Sequence, residues 1–353
     1  MENRKDICEL NIEELRALIK EKGQPKFRAD QLYGWLHKQK VKSFEEMKNI
    51  PAALKNLLSE EYYITVMEPE DILISRLDGT RKYVFALFDG NVIEAVLMKY
   101  KHGNSVCISS QVGCRMGCRF CASTLDGCVR NLTAAEMLSE VYRIESDLGE
   151  RISNIVIMGS GEPLDNYDEV LRFLHMITDP DGLNISARNI TLSTCGLVPE
   201  IRRLSKEELP ITLALSLHAP NQAKREEIMP IAKKYELSEV LSACADYVRD
   251  TGRRISFEYS VVKGVNDSKE EAEELSRLLR DFKGVFHVNI IPVNPIEERE
   301  YESPDRDAVL SFKDILERNK INATIRREMG RDISSACGQL RRRHLKNANT
   351  ITD

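Results

Sequence analysis

The spacing of apolar residues changes character twice along this 353-residue chain. Over residues 1–60 it is helical: Leu15, Leu18 and Ile19 make one stripe, and Leu32, Trp35 and Leu36 make another. KGQPKF separates these two helices, and Pro51 marks a further boundary. DILISRLDGTRKYVFALFDGNVIEAVLMKY then has β-rich runs parted by Asp78-Gly79 and Asp89-Gly90, which predicts a three-stranded meander. Beyond it, short strand-like runs near 105–110, 153–158, 188–193, 211–217, 255–262 and 286–291 alternate with amphipathic stretches such as 131–148 and 268–281. Ser268, with Glu271 three residues later, supplies an N-terminal capping signal for the latter. A last strand is expected near 322–327, leading into a basic tail.

Six strand–helix units of this length require crossover connections, so the fold class is α/β with a parallel sheet. The expected domains are a helical accessory domain over 1–60, a β-meander extension over 61–100, a (β/α)6 core over 101–335 and a tail over 336–353. Parallel sheets gather their active residues at the C-terminal ends of the strands. The cysteines Cys114, Cys118 and Cys121 follow the first strand of the core, GSGEP follows the second and STCG the third. Ser216 and His218 close the fourth strand, and PVNP with Asn294 follows the sixth. Polar and glycine-rich residues therefore fall at one end of the sheet every time.

Composition adds compartment and charge. The chain is 42% hydrophobic and 30% charged, a globular balance. It shows no apolar run of membrane-span length and no signal-peptide core near Met1, so a cytoplasmic protein without a membrane role is expected. Nine cysteines in that compartment read as reduced thiols. A net charge of −5 argues against a dedicated electrostatic nucleic-acid binder. The C-terminal stretch is locally basic all the same: Arg326, Arg327, Arg331, Arg341, Arg342, Arg343 and Lys346 surround Cys337. On charge alone a solvated surface explains these equally well.

Three cysteines in eight residues pose the chemical question. A structural zinc site wants four ligands, so zinc here would need Cys107 or a histidine to complete it. A four-iron cubane held by three thiolates instead keeps one iron open for a ligand. Gly159 and Gly161 begin a G-x-G pattern, but Leu164 stands where a dinucleotide fingerprint needs its third glycine. By residue type alone, His218 reads as a satisfied strand-end histidine and Glu94 as a surface carboxylate on an alternating strand. Cys8, Cys128, Cys195 and Cys244 read as small buried hydrophobes. Cys107 lies on the strand beside the cluster loop, and arginines around Cys337 would favour its thiolate.

CRMGCRFC together with MGSGEP resembles the radical S-adenosylmethionine (SAM) superfamily. That resemblance implies a partial (β/α)6 radical SAM barrel with one 4Fe-4S cluster on Cys114, Cys118 and Cys121. SAM would bind on the open iron. It sets Gly161 and Glu162 against the SAM amino group, has Ser193, Ser216, Leu217 and His218 line the rest of the pocket, and brings Asn294 near the sugar. Ser160 departs from the usual Gly-Met-Gly-Glu-Pro pattern.

The full series, VIEAVLMKY, CISSQVGCRMGCRFCAST, RNLTAAEM, GEPLDNYDEV, STCG, LSLHAP, GVND, VNIIPVNP and ACGQL, resembles the RlmN family of dual-specificity RNA methyltransferases across nearly the whole chain. The related Cfr methyltransferases share the layout, although GEPLDNY and STCG look closer to RlmN. The resemblance implies methylation of adenine carbon 2 in 23S rRNA and beside the tRNA anticodon, consuming two SAM per turnover. Cys337 would carry the methyl group as S-methylcysteine, Cys107 would be the resolving thiol that forms a transient disulfide with it, and Glu94 the proton acceptor. A flavodoxin- or ferredoxin-like electron donor and a monomeric enzyme are expected. Three readings compete: a Cfr-like carbon-8 methyltransferase, a radical activase acting on a partner protein, and a zinc-stapled RNA-binding protein.

Overall fold

The structure is a computed structural model and describes residues 4–296 and 298–333. Ten strands form one sheet, and their order in space follows their order in the chain. They are β1 (Pro69–Ile74), β2 (Arg81–Ala86), β3 (Val92–Tyr100), β4 (Gly103–Ile108), β5 (Ile152–Ile157), β6 (Ile190–Thr194), β7 (Thr212–Ser216), β8 (Ile255–Val261), β9 (Phe286–Pro292) and β10 (Ala323–Ile325). From β1 to β4 neighbours run antiparallel, and from β4 to β10 they run parallel. The α/β fold class is therefore as expected, with the parallel strands forming a partial barrel. Its edge at β4 is continued by the antiparallel meander.

The parallel strands are short and largely apolar; every residue of β8 is buried, whereas β5, β6, β7 and β9 each keep partly exposed positions. Helix Ala134–Leu148 opens with a capping box between Thr133 and Glu136, and Lys269–Arg280 with one between Ser268 and Glu271. β10 is shorter than the 322–327 expected: the Arg326 N–H makes one more ladder bond, to the Ile290 carbonyl, before the chain turns into the cavity described below.

The N-terminal helices Ile12–Glu21 and Phe27–His37 bury the expected stripes, with Trp35 only half-buried. They dock on the barrel's outer helices. Buried His37 shares a 2.9 Å hydrogen bond with the Tyr142 hydroxyl, Arg172 pairs with Glu14 at 2.6 Å, and Lys40 with Glu145 at 2.7 Å. No helix among the described residues is long and apolar enough to cross a membrane.

Candidate active site

At the C-terminal ends of the parallel strands lies a cavity of about 790 Å³. Cys114, Cys118 and Cys121 enter it from the loop after β4. Strand Gln111–Gly113 folds back on Cys128–Asn131, and the Cys114 N–H donates to the Gly127 carbonyl at 2.9 Å. Thr124 Oγ1 donates to the Cys118 and Cys121 carbonyls at 3.0 and 2.9 Å, closing the loop on itself. From outside, the Arg119 N–H is held by the Ile228 carbonyl at 2.9 Å. The loop geometry is thus set by backbone bonds, which leaves the thiols for a ligand.

Burial pushes the Cys114 thiol up to about 12 and raises Cys118 and Cys121 as well. A bound cation reverses that by stabilising the thiolates. Among the described residues, no three His, Cys, Asp or Glu side chains converge on a site for a single ion. A cubane takes each thiolate on a separate iron and so suits the wider spacing. Three soft sulfur donors on one cavity wall fit a 4Fe-4S cluster with one open iron.

The GSGEP loop backs this site. Gly161 has φ +109°, and a Cβ there would sit 2.6 Å from the Gln111 Cβ and 2.7 Å from its backbone nitrogen. Only glycine lets the loop lie so close to the chain entering the cysteine loop. The Glu162 N–H donates to Gln111 Oε1 at 2.9 Å. Its carboxylate accepts from the backbone N–H groups of Cys195 at 2.8 Å and Leu164 at 3.2 Å. Burial raises the Glu162 carboxyl while the Cys195 amide opposes it. A buried carboxylate with lone pairs to spare on the cavity wall suits an ammonium group. Ser160 has a definite partner: its Oγ accepts from the Gly113 N–H at 3.1 Å, tying this loop to the root of the cysteine loop.

Ser193 and Ser216 face each other across β6 and β7, their hydroxyls 3.5 Å apart, and Asn294 lines the cavity beyond β9. Leu217 is wholly buried and does not line it. His218 does, from a backbone φ of +56°. Its Nδ1 accepts from the Ser260 N–H at 2.9 Å, so the neutral ring carries its proton on Nε2. Burial, and then the charge of Arg225, push His218 down to about 3, so the ring is neutral at physiological pH.

Cys107 lines the same cavity from β4, beside Glu94, Val96 and Met98 of β3. Glu94 is buried, contrary to its plain reading as a surface carboxylate, and pairs with Lys82 at 3.3 Å. Arg326, Arg327 and Arg331 line the far side. The chain just before the tail is anchored on the β1–β2 hairpin. Asp332 accepts from the Ser75 hydroxyl at 2.6 Å and the Arg76 N–H at 2.8 Å, and Asp78 accepts from the Gly330 N–H at 2.9 Å. Cys337, the tail arginines 341–343 and Lys346 lie outside the described residues. Cys8, Cys195 and Cys244 are buried as expected, whereas Cys128 is only half-buried.

Sequence reasoning missed Lys82, Gln111 and Arg225. Arg225 lies on the polar helix Gln222–Ile228, yet is fully buried, with Nη2 donating to the Cys195 and Ser216 carbonyls at 2.6 and 3.3 Å. A signal existed only for Gln111, which directly precedes the cysteine loop.

Comparison with known proteins places this geometry. The family model for the radical SAM superfamily matches residues 108–279. That for the ribosomal RNA large subunit methyltransferase N-terminal domain matches residues 5–64. A protein of Lachnoclostridium phytofermentans described as a probable dual-specificity RNA methyltransferase RlmN is 58% identical over 337 residues, covering 96% of this chain and 94% of the relative. A Clostridium perfringens protein of the same description is 56% identical, covering 97% and 98%. The crystal structure of a radical SAM methyltransferase from Sphaerobacter thermophilus is 41% identical, covers 95% of this chain and 98% of its own, and superposes with a TM-score of 0.90.

Proposed function

We propose, from the premise that this chain belongs to the RlmN family of dual-specificity RNA methyltransferases, that it methylates carbon 2 of adenine in 23S rRNA and beside the tRNA anticodon. The observation that carries this reading is one cavity shared by the three cluster cysteines, Cys107 and Glu94. Cys114, Cys118 and Cys121 would hold the 4Fe-4S cluster, which would supply the single electron for reductive cleavage of SAM.

The remaining roles fall to the chain itself. Glu162 and the backbone of Gly161 receive the SAM amino group, and Ser193, Ser216, His218 and Asn294 take the rest of the molecule. Leu217 acts from behind the wall, packing the strand end that presents its two neighbours. The Cys337 sulfur would take a methyl group from one SAM by nucleophilic transfer, with S-adenosylhomocysteine leaving, lose one hydrogen atom of it to the adenosyl fragment of a second SAM, and add the resulting methylene to the purine carbon. Carbon 2 lies between two ring nitrogens and is a poor nucleophile, which is why a covalent carrier is needed at all. Glu94 takes the proton leaving that carbon. The Cys107 thiolate would then attack the Cys337 sulfur and break its bond to the transferred carbon, which takes up a proton to become the methyl group; the unpaired electron of the adduct passes to a one-electron acceptor, and the disulfide is left for external reduction. Base chemistry of this kind also requires the adenine to be unstacked into the cavity, beside Arg326, Arg327 and Arg331.

The test is anaerobic reconstitution with labelled SAM and fragments of rRNA and tRNA, followed by nucleoside analysis. Label on adenine carbon 2 is expected, and label on carbon 8 would assign the chain to Cfr-like chemistry instead. Cys337→Ala should keep SAM cleavage and lose RNA methylation; retained methylation would overturn the carrier role. Iron and sulfide in the purified protein separate both outcomes from a zinc-stapled binding protein.

A further inference from the structure

Lys82, the second residue of β2, has none of its side chain exposed. Lysine is among the residues least often fully buried, and then only with a partner. The register explains where it points. Val96 of β3 lies opposite Lys82 on one side and opposite Cys107 on the other, so these three side chains form one row on one face of the sheet. Glu94, two residues before Val96, shares that face. It lies diagonal to Lys82, and their Nζ and Oε2 atoms are 3.3 Å apart. Glu94, Val96 and Cys107 line the cavity, whereas Lys82, one strand further out on the same face, does not.

We propose that Lys82 is a positioning residue for Glu94: its buried ammonium holds the carboxylate ionised and fixed at the cavity wall, ready to accept a proton. This rests on the reading of Glu94 as proton acceptor. In that step the proton moves from the purine carbon to a Glu94 oxygen, the electrons of the C–H bond stay with the ring, and Glu94 becomes a neutral acid. Burial disfavours the charged form of a lone carboxylate in this wall, so without a cation beside it a larger share would be protonated beforehand and unable to accept a proton. Paired with Lys82 it starts as the base. Among the described residues, the other charged or titratable groups of this face and cavity include Asp71 on exposed β1, Cys107 on β4, the three cluster cysteines, Asp126, Glu162, His218 and Glu258, and Arg326, Arg327, Glu328 and Arg331. Lys82 is a cation on the same sheet face as Glu94, at 3.3 Å from it.

Three variants of the full-length, cluster-loaded protein test the proposal, with RNA methylation followed from pH 6 to 9 and 5′-deoxyadenosine release as the internal control. Lys82→Met should cut methylation at neutral pH by at least about tenfold and recover as pH rises, because a raised carboxyl is ionised only at higher pH. Lys82→Arg should return the profile toward the wild type, and 5′-deoxyadenosine release should stay unchanged in both. A wild-type pH profile in Lys82→Met, alongside an inactive Glu94→Gln, overturns the role of Lys82 and leaves that of Glu94 standing. Full methylation by Glu94→Gln overturns the proton-acceptor reading itself.

A lone buried carboxylate could unfold the Met variant, so the double variant Lys82→Met/Glu94→Gln, which removes both charges, supplies a second route. Acting only through Glu94, Lys82 adds no loss to that of Glu94→Gln alone, and an additive loss overturns the proposal.

Discussion

The two halves of the sheet serve one cavity in different ways. In the parallel half, β4 to β10, the side chains and amides that face the cavity come mostly from strand ends and the loops beyond them: Cys114, Cys118, Cys121, Gly161, Glu162, His218 and Asn294. In the antiparallel half they come from the middle of a strand, as Glu94, Val96 and Met98 do. Loops let backbone amides and thiols turn toward a cofactor. A strand face fixes side chains at ladder spacing and can bury a charge pair such as Lys82–Glu94 between neighbours. The parallel half is thus built to hold a cofactor, and the meander to provide a rigid wall with a charge set in it.

The largest effect should come from breaking the proposed cluster site of the parallel half. Replacing Cys114, Cys118 or Cys121 singly by Ala is expected to remove iron and sulfide and to reduce SAM cleavage by about a thousandfold or more. The matching change in the meander, Glu94→Gln, should leave iron content and SAM cleavage intact while methylation falls. Iron analysis with 5′-deoxyadenosine assays checks both, and loss of iron from Glu94→Gln would erase the division of labour.

Next is Gly161→Ala, which pushes a Cβ to 2.7 Å from the Gln111 nitrogen at a positive φ. Backbone cannot yield there as a flexible side chain would, so a cost of about 2–3 kcal/mol is expected. A lower melting temperature and at least tenfold weaker SAM binding would show it, and unchanged calorimetry would refute it.

These two sites differ in how far the sequence announces them. Cysteine spacing and glycine loops are local signals, and so are the apolar runs of β4 to β9 and the Ser268–Glu271 cap, because the residues that matter are neighbours in the chain. Lys82 carries no such signal. A charged residue on an alternating strand reads as facing water, yet Lys82 is buried, on a strand flanked by β1 and β3. Arg225 misleads in the same way, sitting in the polar stretch NQAKREEI while its guanidinium is buried against the ends of β6 and β7. Long-range packing settles both residues, and no periodicity in a single segment reports on it.

A smaller effect is expected at the β1–β2 hairpin. Hydrogen bonds to the Gly330 and Thr80 amides hold the Asp78 carboxyl down at about 2 against the cost of partial burial, and the Ser75 hydroxyl lowers Asp332. Folded values below the unfolded ones mean this anchor holds above the ordinary carboxylate range and is lost as pH falls through the lowered values. Asp332→Ala should therefore lower RNA methylation per SAM cleaved by roughly three- to tenfold, through a less well placed Cys337, without changing cleavage itself. An unchanged ratio of methylated RNA to 5′-deoxyadenosine would sink the anchoring role and confine the meander to the wall.

The smallest expected effect sharpens the comparison most. Ser160 Oγ takes the Gly113 N–H that leads into the cysteine loop. Its backbone is held independently: the Ser160 carbonyl accepts from the Ser110 and Gln111 amides, and its N–H donates to Ser109 Oγ at 3.0 Å. Removing the hydroxyl leaves those bonds in place and orphans one half-buried amide, a loss of about 1 kcal/mol. Ser160→Ala should then weaken SAM binding by no more than about fivefold, with the cluster retained and its spectrum slightly altered, because the two loops that flank it lose one tie. Ser160→Met lacks that acceptor too and must fill the space by packing. If Met binds SAM as well as Ser while Ala does not, filled volume holds the loops together. If Met and Ala are equally impaired, the hydrogen bond does, as a polar contact at the junction of the cofactor loops.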